Sequence, residues 1–529
     1  MKANDYVLSY DVGTTGNKTC LFKATPGLEL VDSCAVEYPL QVLPNGGAEQ
    51  NVEDWWRAIC KTTNTILSRV KVEPSQIRGI GFCCQMQGSI LVDSAGRPLR
   101  EPMNYMDSRA TKQIDEFLRT GLIRISGYNA LIALKSLRIT GGLAGTAKDP
   151  LWKYHWVREN EPEIFSRAYK WLDVKDYLLL RCTGKYAMTQ DSAHLTFLYD
   201  TRPGHFGWHR GLCNTFKVEM RHLPPVVRST DVVGRLTKQA ADEMGLEEGT
   251  PVFGGGGDLP LITIGSGCVE ENDTHIYVGT SGWLAANVSR RMLDVGNFMA
   301  SILGAMPGYY TYVAEQETSG VCLQWVRDLL GLGMGASTEP GDAYGLVNRA
   351  ASETPPGAGN IVFTPWMQGN RSPREDPYVR GMFFNVGLKA DREMLVRAVM
   401  EGVAYNNRWM LQAFERKVPR QSVIRFVGGG AKSEVWPQIM ADVTERTIET
   451  VENPQNAGAF GAAVVSCVGL GLLSSFQEAK SFIPVKKRYM PRGEFKDVYE
   501  QNFRVFRELY EKNKKAFRLL NQSSGRMVV

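Results

Sequence analysis

Residues 251–260 read Pro251-Val252-Phe253-Gly254-Gly255-Gly256-Gly257-Asp258-Leu259-Pro260, an apolar run that meets four glycines and then one carboxylate. Residues without Cβ let a ligand come close to the backbone and reach φ values closed to other residues. A carboxylate held there, beside exposed backbone N–H groups, suits the removal of a proton next to a phosphate. The other reading is a flexible glycine-rich turn ending in a solvated Asp, because short motifs recur by chance. The company that Asp258 keeps along the chain favours the first.

Near the start, Tyr6-Val7-Leu8-Ser9-Tyr10 reads as a strand that ends at Asp11. Gly13-Thr14-Thr15-Gly16 makes a tight turn, Lys18 follows, and Thr19-Cys20-Leu21-Phe22 returns as a second strand. A tip of small and hydroxyl residues can turn several backbone N–H groups toward an anion. The same grammar comes back with Thr274-His275-Ile276-Tyr277-Val278, the turn Gly279-Thr280-Ser281-Gly282 and the strand Trp283-Leu284-Ala285-Ala286. Gly13 and Gly279 lie 266 positions apart, about half the chain. That spacing predicts two related domains, each offering a phosphate loop to a cleft between them.

The rest of the chain supplies elements to hold these loops. Residues 52–67 read as a helix with acidic Glu53 and Asp54 at its start. Residues 77–84 read as a strand leading into Gln85-Met86-Gln87-Gly88-Ser89, and 90–93 as another. Residues 162–180 read as largely helical, and 394–415 as a long helix with Ala398, Gly402 and Ala404 on one face. Ile424-Arg425-Phe426-Val427 reads as a buried strand, then Gly428-Gly429-Gly430-Ala431 and a helix over 433–444. Glycines between a strand and a helix make a nucleotide-friendly junction. Residues 456–463 open a small-residue helix, and the stripe Phe495, Val498, Tyr499, Phe503, Phe506, Leu509, Tyr510, Phe517 predicts a packed amphipathic helix at the end. The best place for a domain boundary is near residues 245–255.

A chain of 529 residues is too long for one core. A net charge of +5 with scattered basic residues argues against nucleic acid and acidic membrane surfaces as partners, and Lys486-Lys487-Arg488 reads as a solvated face. The ten cysteines include no Cys-x-x-Cys pair and read as small buried residues. The N-terminus lacks a signal-peptide core and no run of about 18 apolar residues exists, so a cytoplasmic protein without membrane spans is expected.

Taken together, these stretches resemble the FGGY carbohydrate kinases, and within them the xylulokinase branch. Asp11-Val12-Gly13-Thr14-Thr15-Gly16-Asn17-Lys18 is similar to the first phosphate motif, Gly255-Gly256-Gly257-Asp258 to the segment with the catalytic aspartate, Val278-Gly279-Thr280-Ser281-Gly282 to the second phosphate motif, and 426–431 to the adenosine motif. Ala48-Glu49-Gln50, Pro150-x-x-Lys153-Tyr154-x-Trp156-Val157-x-Glu159-Asn160, and Gly369-Asn370-Arg371-Ser372-Pro373 through Arg380-Gly381-Met382-Phe383-Phe384 also fit. The resemblance runs in order from about residue 6 to 490.

It implies an α/β fold of two ribonuclease-H-like domains of the actin-like ATPase superfamily flanking a central cleft. Residues 1–250 would carry the sugar site and first phosphate motif, and 251–529 the catalytic Asp, the second phosphate and adenosine motifs and the C-terminal helix. ATP would phosphorylate a hydroxyl of a small ketose such as xylulose, or of a related polyol, with Asp258 as general base. Asp11 and Asp258 would be the carboxylates at Mg²⁺. Gly13, Thr14, Thr15, Lys18, Gly279 and Thr280 would surround the phosphates, Gly320 and Gln324 would lie beside the nucleotide, and Gly429, Gly430 and Ala431 would meet adenosine. Met86, Gln87, Tyr105, Asp258 and Leu259 would face the sugar. A homodimer is left open.

The departures from the family pattern fall on the sugar side. Gln87 stands where a His is usual, Leu259 where Asn or Gln is usual, Thr189 where an Asp is usual, and Tyr105 where a Trp is usual. They leave open a ribulokinase- or polyol-kinase-type member, and a silent sugar-sensing relative. An actin- or chaperone-like ATPase is disfavoured by the Gln85–Gly88 segment and the Trp-rich N-terminal half.

Overall fold

The structure is a computed structural model that describes residues 5–25, 27–125, 127–332 and 340–522. Residues 1–4, read above for a signal peptide, lie outside the described residues.

In the N-terminal half, strands β1 (Tyr6–Val12), β2 (Gly16–Lys23), β3 (Glu29–Glu37), β4 (Ile77–Cys84), β5 (Val232–Arg235) and β6 (Pro251–Phe253) form one sheet in the order β3-β2-β1-β4-β6-β5. A two-residue strand, β7 (Gly256–Gly257), also pairs with β4. Three helices matter here: α1 (Val52–Val70), α2 (Pro150–Asn160) and α3 (Val174–Thr183). The Asn51 side chain caps α1 by accepting the N–H of Glu53 at 2.7 Å.

The C-terminal half repeats the plan. Strands β8 (Thr274–Val278), β9 (Gly282–Val288), β10 (Leu293–Asp294), β11 (Met299–Leu303), β12 (Tyr310–Gln316), β13 (Val423–Val427), β14 (Thr447–Val451) and β15 (Val485–Tyr489) run in the order β10-β11-β12-β9-β8-β13-β14-β15. From β3 to β5 the neighbours pair antiparallel, antiparallel, parallel, parallel, antiparallel. From β12 to β15 the pattern is the same. The two hairpins noted in the sequence therefore occupy the same place in two like sheets. The two ribonuclease-H-like units implied by the resemblance are present.

The helices of this half are α4 (Asp258–Gly265), α5 (Gly320–Leu329), α6 (Arg392–Phe414), α7 (Trp436–Thr444), α8 (Ala457–Gly469) and α9 (Lys496–Asn521). Each sheet has its own core, one around Leu8, Trp55 and Phe82 and one around Ile276, Trp366 and Trp436. A third cluster, around Trp152, Trp171 and Phe216, fills the segment inserted in the first half. The aromatic stripe of α9 buries Tyr499, Phe503, Phe506, Leu509 and Tyr510, and is packing as the sequence suggests.

Residues 162–180 are largely helical as expected, in two helices, Pro162–Ser166 and α3, separated by a strand, Lys170–Leu172, that pairs with Ile90–Val92. One local expectation needs correction. The helix expected from Ser433 starts at Trp436, because the Ser433 hydroxyl caps it by accepting the N–H groups of Val435 and Trp436 at 3.1 and 3.0 Å.

Candidate active site

Strand register brings the two key carboxylates together. On β1, Asp11 lies opposite Lys18 of β2 and beside Cys83 of β4. On the far side of β4, Cys83 lies beside Gly256 of β7, and two residues later Asp258 opens α4. The glycines make this corner fit. Gly255 has φ +63°, and a Cβ there would sit 2.2 Å from the Phe82 carbonyl oxygen. A Cβ on Gly257 would strike the Met86 side chain at 2.2 Å. The Asp191 carboxylate accepts the Gly257 N–H at 2.6 Å and, on its other oxygen, the Thr189 hydroxyl.

Burial and the Asp11 charge push the Asp258 carboxyl up to about 7, offset in part by the Leu259 N–H, which donates to it at 2.9 Å. Glu315 and Asp173 add to the push. Asp11 is raised by burial as well, with Lys18 and the Cys83 thiol pulling it back. A carboxylate poised near neutrality in an enclosed site is what a general base requires.

The phosphate hairpins share one more property. In the first, the Gly13 carbonyl accepts the Tyr38 hydroxyl (2.6 Å), Thr14 the Gln50 amide (2.7 Å), Thr15 the Tyr38 N–H (3.0 Å) and Gly16 the Gly13 N–H (2.9 Å). In the second, Gly279 accepts from Gly320 N–H (2.7 Å), Thr280 from Ser319 N–H (3.0 Å) and Ser281 from Gly279 N–H (3.0 Å). With the carbonyls engaged by the protein, each tip is suited to an anion. Thr15 and Thr280 are exposed at these tips. Lys18 donates to the Gln455 carbonyl at 2.5 Å, on the connection that leads into α8.

Around the second hairpin, a Cβ on Gly320 would meet the Gly279 carbonyl oxygen at 2.4 Å, and one on Gly430 would meet Val278 at 2.6 Å. Gly320, Gly430 and the neighbouring Ala431 are thus gathered at the end of β8. Gly429 is exposed with open space beside it, and Gln324 is exposed one turn along α5.

On the sugar side, Met86 lies under Gly257. Gln87 adopts φ +63° and donates from its side chain to Asp149 at 3.2 Å. The Tyr105 phenol, raised by burial, lies against Thr14 and within the field of Asp258. Leu259 is 9 % exposed and shares an apolar cluster with Met86, Ile262 and Trp283.

Residues 6–265 match the FGGY family of carbohydrate kinases, N-terminal domain, and residues 275–470 match its C-terminal domain. The chain belongs to the FGGY carbohydrate kinases. It is 28% identical over 506 residues to a xylulose kinase of Bacillus subtilis, covering 95% of this chain and 96% of the relative. It is 25% identical over 506 residues to a gluconokinase of the same organism, covering 95% and 94%. Its fold matches the solved ligand-bound xylulose kinase of Lactobacillus acidophilus with TM-score 0.83 at 24% identity, over 97% of this chain and 99% of that one. Among the described residues, no helix is long and apolar enough to cross a membrane.

This FGGY kinase also places residues at the cleft that the sequence reading passed over. Tyr277 stacks on Trp283 at 4.0 Å, and its ring fills the space beside Gly279 within the field of Asp11 and Asp258. Arg371, in a loop that fits the family, pairs with Glu315 at 2.6 Å, while Lys148 from the other half reaches Glu317 at 3.6 Å. Asp149, Asp173 and Asp191 support the corner from behind. In the sequence Tyr277 reads as an ordinary strand aromatic, and nothing local marks the aspartates.

Proposed function

We propose that this chain transfers the γ-phosphoryl group of ATP to a hydroxyl of a small neutral ketose, a ketopentose such as xylulose or a related ketose or polyol. The observation that carries the reading is Asp258, buried at the start of α4 within the field of Asp11 and with its carboxyl raised to about 7. Its carboxylate takes the hydroxyl proton as the sugar oxygen bonds to the γ-phosphorus and the bond to the ADP oxygen breaks. Phosphoryl transfer of this kind rests mainly on alignment and charge neutralisation.

Among the described residues no group of three or more His, Cys, Asp or Glu could hold a metal ion. Two neighbouring carboxylates, Asp11 and Asp258, fit Mg²⁺, which takes one or two carboxylates and completes its shell with phosphate oxygens and water. Bound there, Mg²⁺ supplies charge neutralisation for the triphosphate. The main-chain donors of Thr14, Thr15, Thr280 and Ser281, with Lys18, orient the phosphates from both halves, while the N–H groups of Gly13 and Gly279 close the turns. Gly320, Gln324 and 429–431 border the adenosine side, and Met86, Gln87 and Tyr105 the sugar side.

A neutral substrate is favoured over gluconate because Arg371 and Lys148 are already paired with Glu315 and Glu317, which leaves neither cation free for a substrate carboxylate. The test is a coupled ADP-release assay over D-xylulose, D-ribulose, hexuloses, polyols and D-gluconate. ADP release that no sugar stimulates would overturn the reading in favour of an actin- or chaperone-like ATPase, and no ADP release with any sugar would overturn it in favour of a silent sugar-sensing relative. A preference for D-gluconate would overturn the choice of a neutral substrate.

A further inference from the structure

Helix α2 carries a residue that the proposed chemistry leaves unused. Lys153 is 0 % exposed. Its Nζ donates to two main-chain carbonyls, Asn104 at 2.6 Å and Gln87 at 2.8 Å. These belong to different loops, one carrying Met86 and Gln87 and the other running into Tyr105. A buried ammonium is costly unless its donors are used and its charge is matched. Here two of the three N–H donors are used, and Asp107, Asp149 and Asp173 supply counter-charge that offsets part of the cost of burial. Packing alone at this position would be satisfied by Leu or Met.

The geometry of Gln87 shows what the ammonium restrains. Its left-handed backbone is uncommon for a residue with a side chain. Three fixed points hold it: Lys153 on the carbonyl, Asp173 on the N–H at 3.1 Å and Asp149 on the side-chain amide. The Asn104 loop is joined in turn to the phosphate hairpin. The Asn104 amide donates to Gln85 at 2.6 Å and to Gln50 at 3.1 Å, and the Gln50 amide donates to the Thr14 carbonyl at 2.7 Å. The Asn104 side chain, through Gln50, keeps its own tie to the first hairpin, apart from the carbonyl that Lys153 engages.

We propose that Lys153 is a positioning residue for the sugar side of the site, its ammonium holding the Gln87 and Asn104 loops at one separation so that Gln87 and Tyr105 meet the substrate together. This rests on the reading of those two residues as sugar contacts. A residue that only stabilised the fold would disturb the nucleotide and sugar sites alike, and its effect would not depend on Gln87.

The test is a double-mutant cycle of Lys153→Met and Gln87→Ala, on the sugar that the wild type phosphorylates best. Lys153→Met should raise the sugar KM about tenfold or more, a loss of ~1.4 kcal/mol, while the ATP KM stays within about twofold. In the Gln87→Ala background the same substitution should raise the sugar KM by less than about threefold. Equal factors in both backgrounds, or parallel rises in both KM values, would overturn the proposal. Lys153→Gln, which keeps two N–H donors on a shorter arm, is the second variant should the first fail to fold. It should show the same sugar-only pattern at smaller amplitude.

Hydrogen exchange on the substrate-free protein asks the question independently of turnover. Residues 85–89 and 103–107 should exchange about tenfold faster in either variant, with both sheets unchanged. Unaltered protection there overturns the proposal. If no sugar stimulates the wild type, the functional reading fails and the exchange measurement still decides this one.

Discussion

The ammonium of Lys18 donates to the main-chain carbonyl of Gln455 at 2.5 Å, across 437 positions of sequence. Lys18 also faces Asp11 in the β1–β2 register and pulls its carboxyl down. One cation therefore stands on the first hairpin, acts on its carboxylate through charge and bonds the connection into α8. Replacing it with Met should raise the ATP KM about tenfold or more, in line with loss of a charge-assisted contact, and leave the sugar KM within about threefold. Steady-state kinetics with each substrate varied in turn checks this. An unchanged ATP KM would remove Lys18 from the nucleotide site.

Asp258→Asn keeps the shape of the side chain and removes its capacity to accept a proton. We expect kcat to fall by about 10²–10⁴ with little change in nucleotide affinity by calorimetry. A mutant within about threefold of wild type, under ~1 kcal/mol in the barrier, would show that another group receives the proton.

The raised Asp258 carboxyl also has a signature in pH. As the base, it should give a sugar kcat/KM that climbs with pH and levels off above about 7. Its folded pKa lies above the ordinary value of 3.8, so the folded state holds the proton more tightly than the unfolded one. The stability this lends is full below 3.8 and is lost as pH rises through about 7. Asp258→Asn does not ionise. Its melting temperature should therefore match wild type near pH 4 and exceed it at pH 8, with roughly 4 kcal/mol as the upper bound. Equal melting temperatures at both pH values would mean that the carboxyl titrates normally.

Helices α4 and α8 cross in backbone contact. A Cβ on Gly461 would lie 2.0 Å from the Leu261 carbonyl oxygen, and one on Gly265 would lie 1.8 Å from that of Ala457. Gly461→Ala must push α4 away, and overpacking of this kind costs about 1–3 kcal/mol or more. Because α4 carries Asp258, kcat should fall along with the urea midpoint. A variant that loses stability at unchanged kcat would separate the crossing from the placement of the base.

The sugar side can be probed by restoring what the family pattern has. Leu259 offers no side-chain hydrogen bond, and a buried hydroxyl left unpaired costs about 1–3 kcal/mol. We expect weak activity on D-xylulose and better activity on a sugar or polyol with different hydroxyl placement. Leu259→Asn combined with Gln87→His should raise kcat/KM on D-xylulose. It should also lower stability, because Asn would enter the apolar cluster of Met86, Ile262 and Trp283. A wild type that already prefers D-xylulose, with no gain in the double mutant, would end this argument.

What the sequence made legible was local. Each hairpin announces itself through a few contiguous residues, and its repetition at half-chain spacing pointed to the two like sheets that the fold contains. The strand Lys170–Leu172 escaped notice because its three residues gain their character only by pairing with Ile90–Val92, nearly eighty positions earlier. Asp191 and Asp173 escaped for the same reason, as did the contacts of Lys153, a residue that the family motif names. Their partners are backbone atoms of distant loops, and a hydrogen bond to a backbone atom leaves no mark on the identity of the residue that receives it. Tyr277 was hidden inside a strand whose hydrophobic alternation explains it equally well as packing.

Helix α8, encoded close to the end of the chain, packs on β1 and β4, near its beginning. A Cβ on Gly458 would meet Cys83 at 2.8 Å and Asp11 at 3.1 Å, and one on Gly81 would meet Ser466 at 2.4 Å. One face of the first sheet therefore cannot be covered on the ribosome until more than four-fifths of the polypeptide has been synthesised. Until then an apolar face that includes Val7, Cys20 and Phe22 waits uncovered. The enzyme's birth is thus a long exposure ended by one late helix, and a nascent chain stalled before residue 457 should be a client for chaperones.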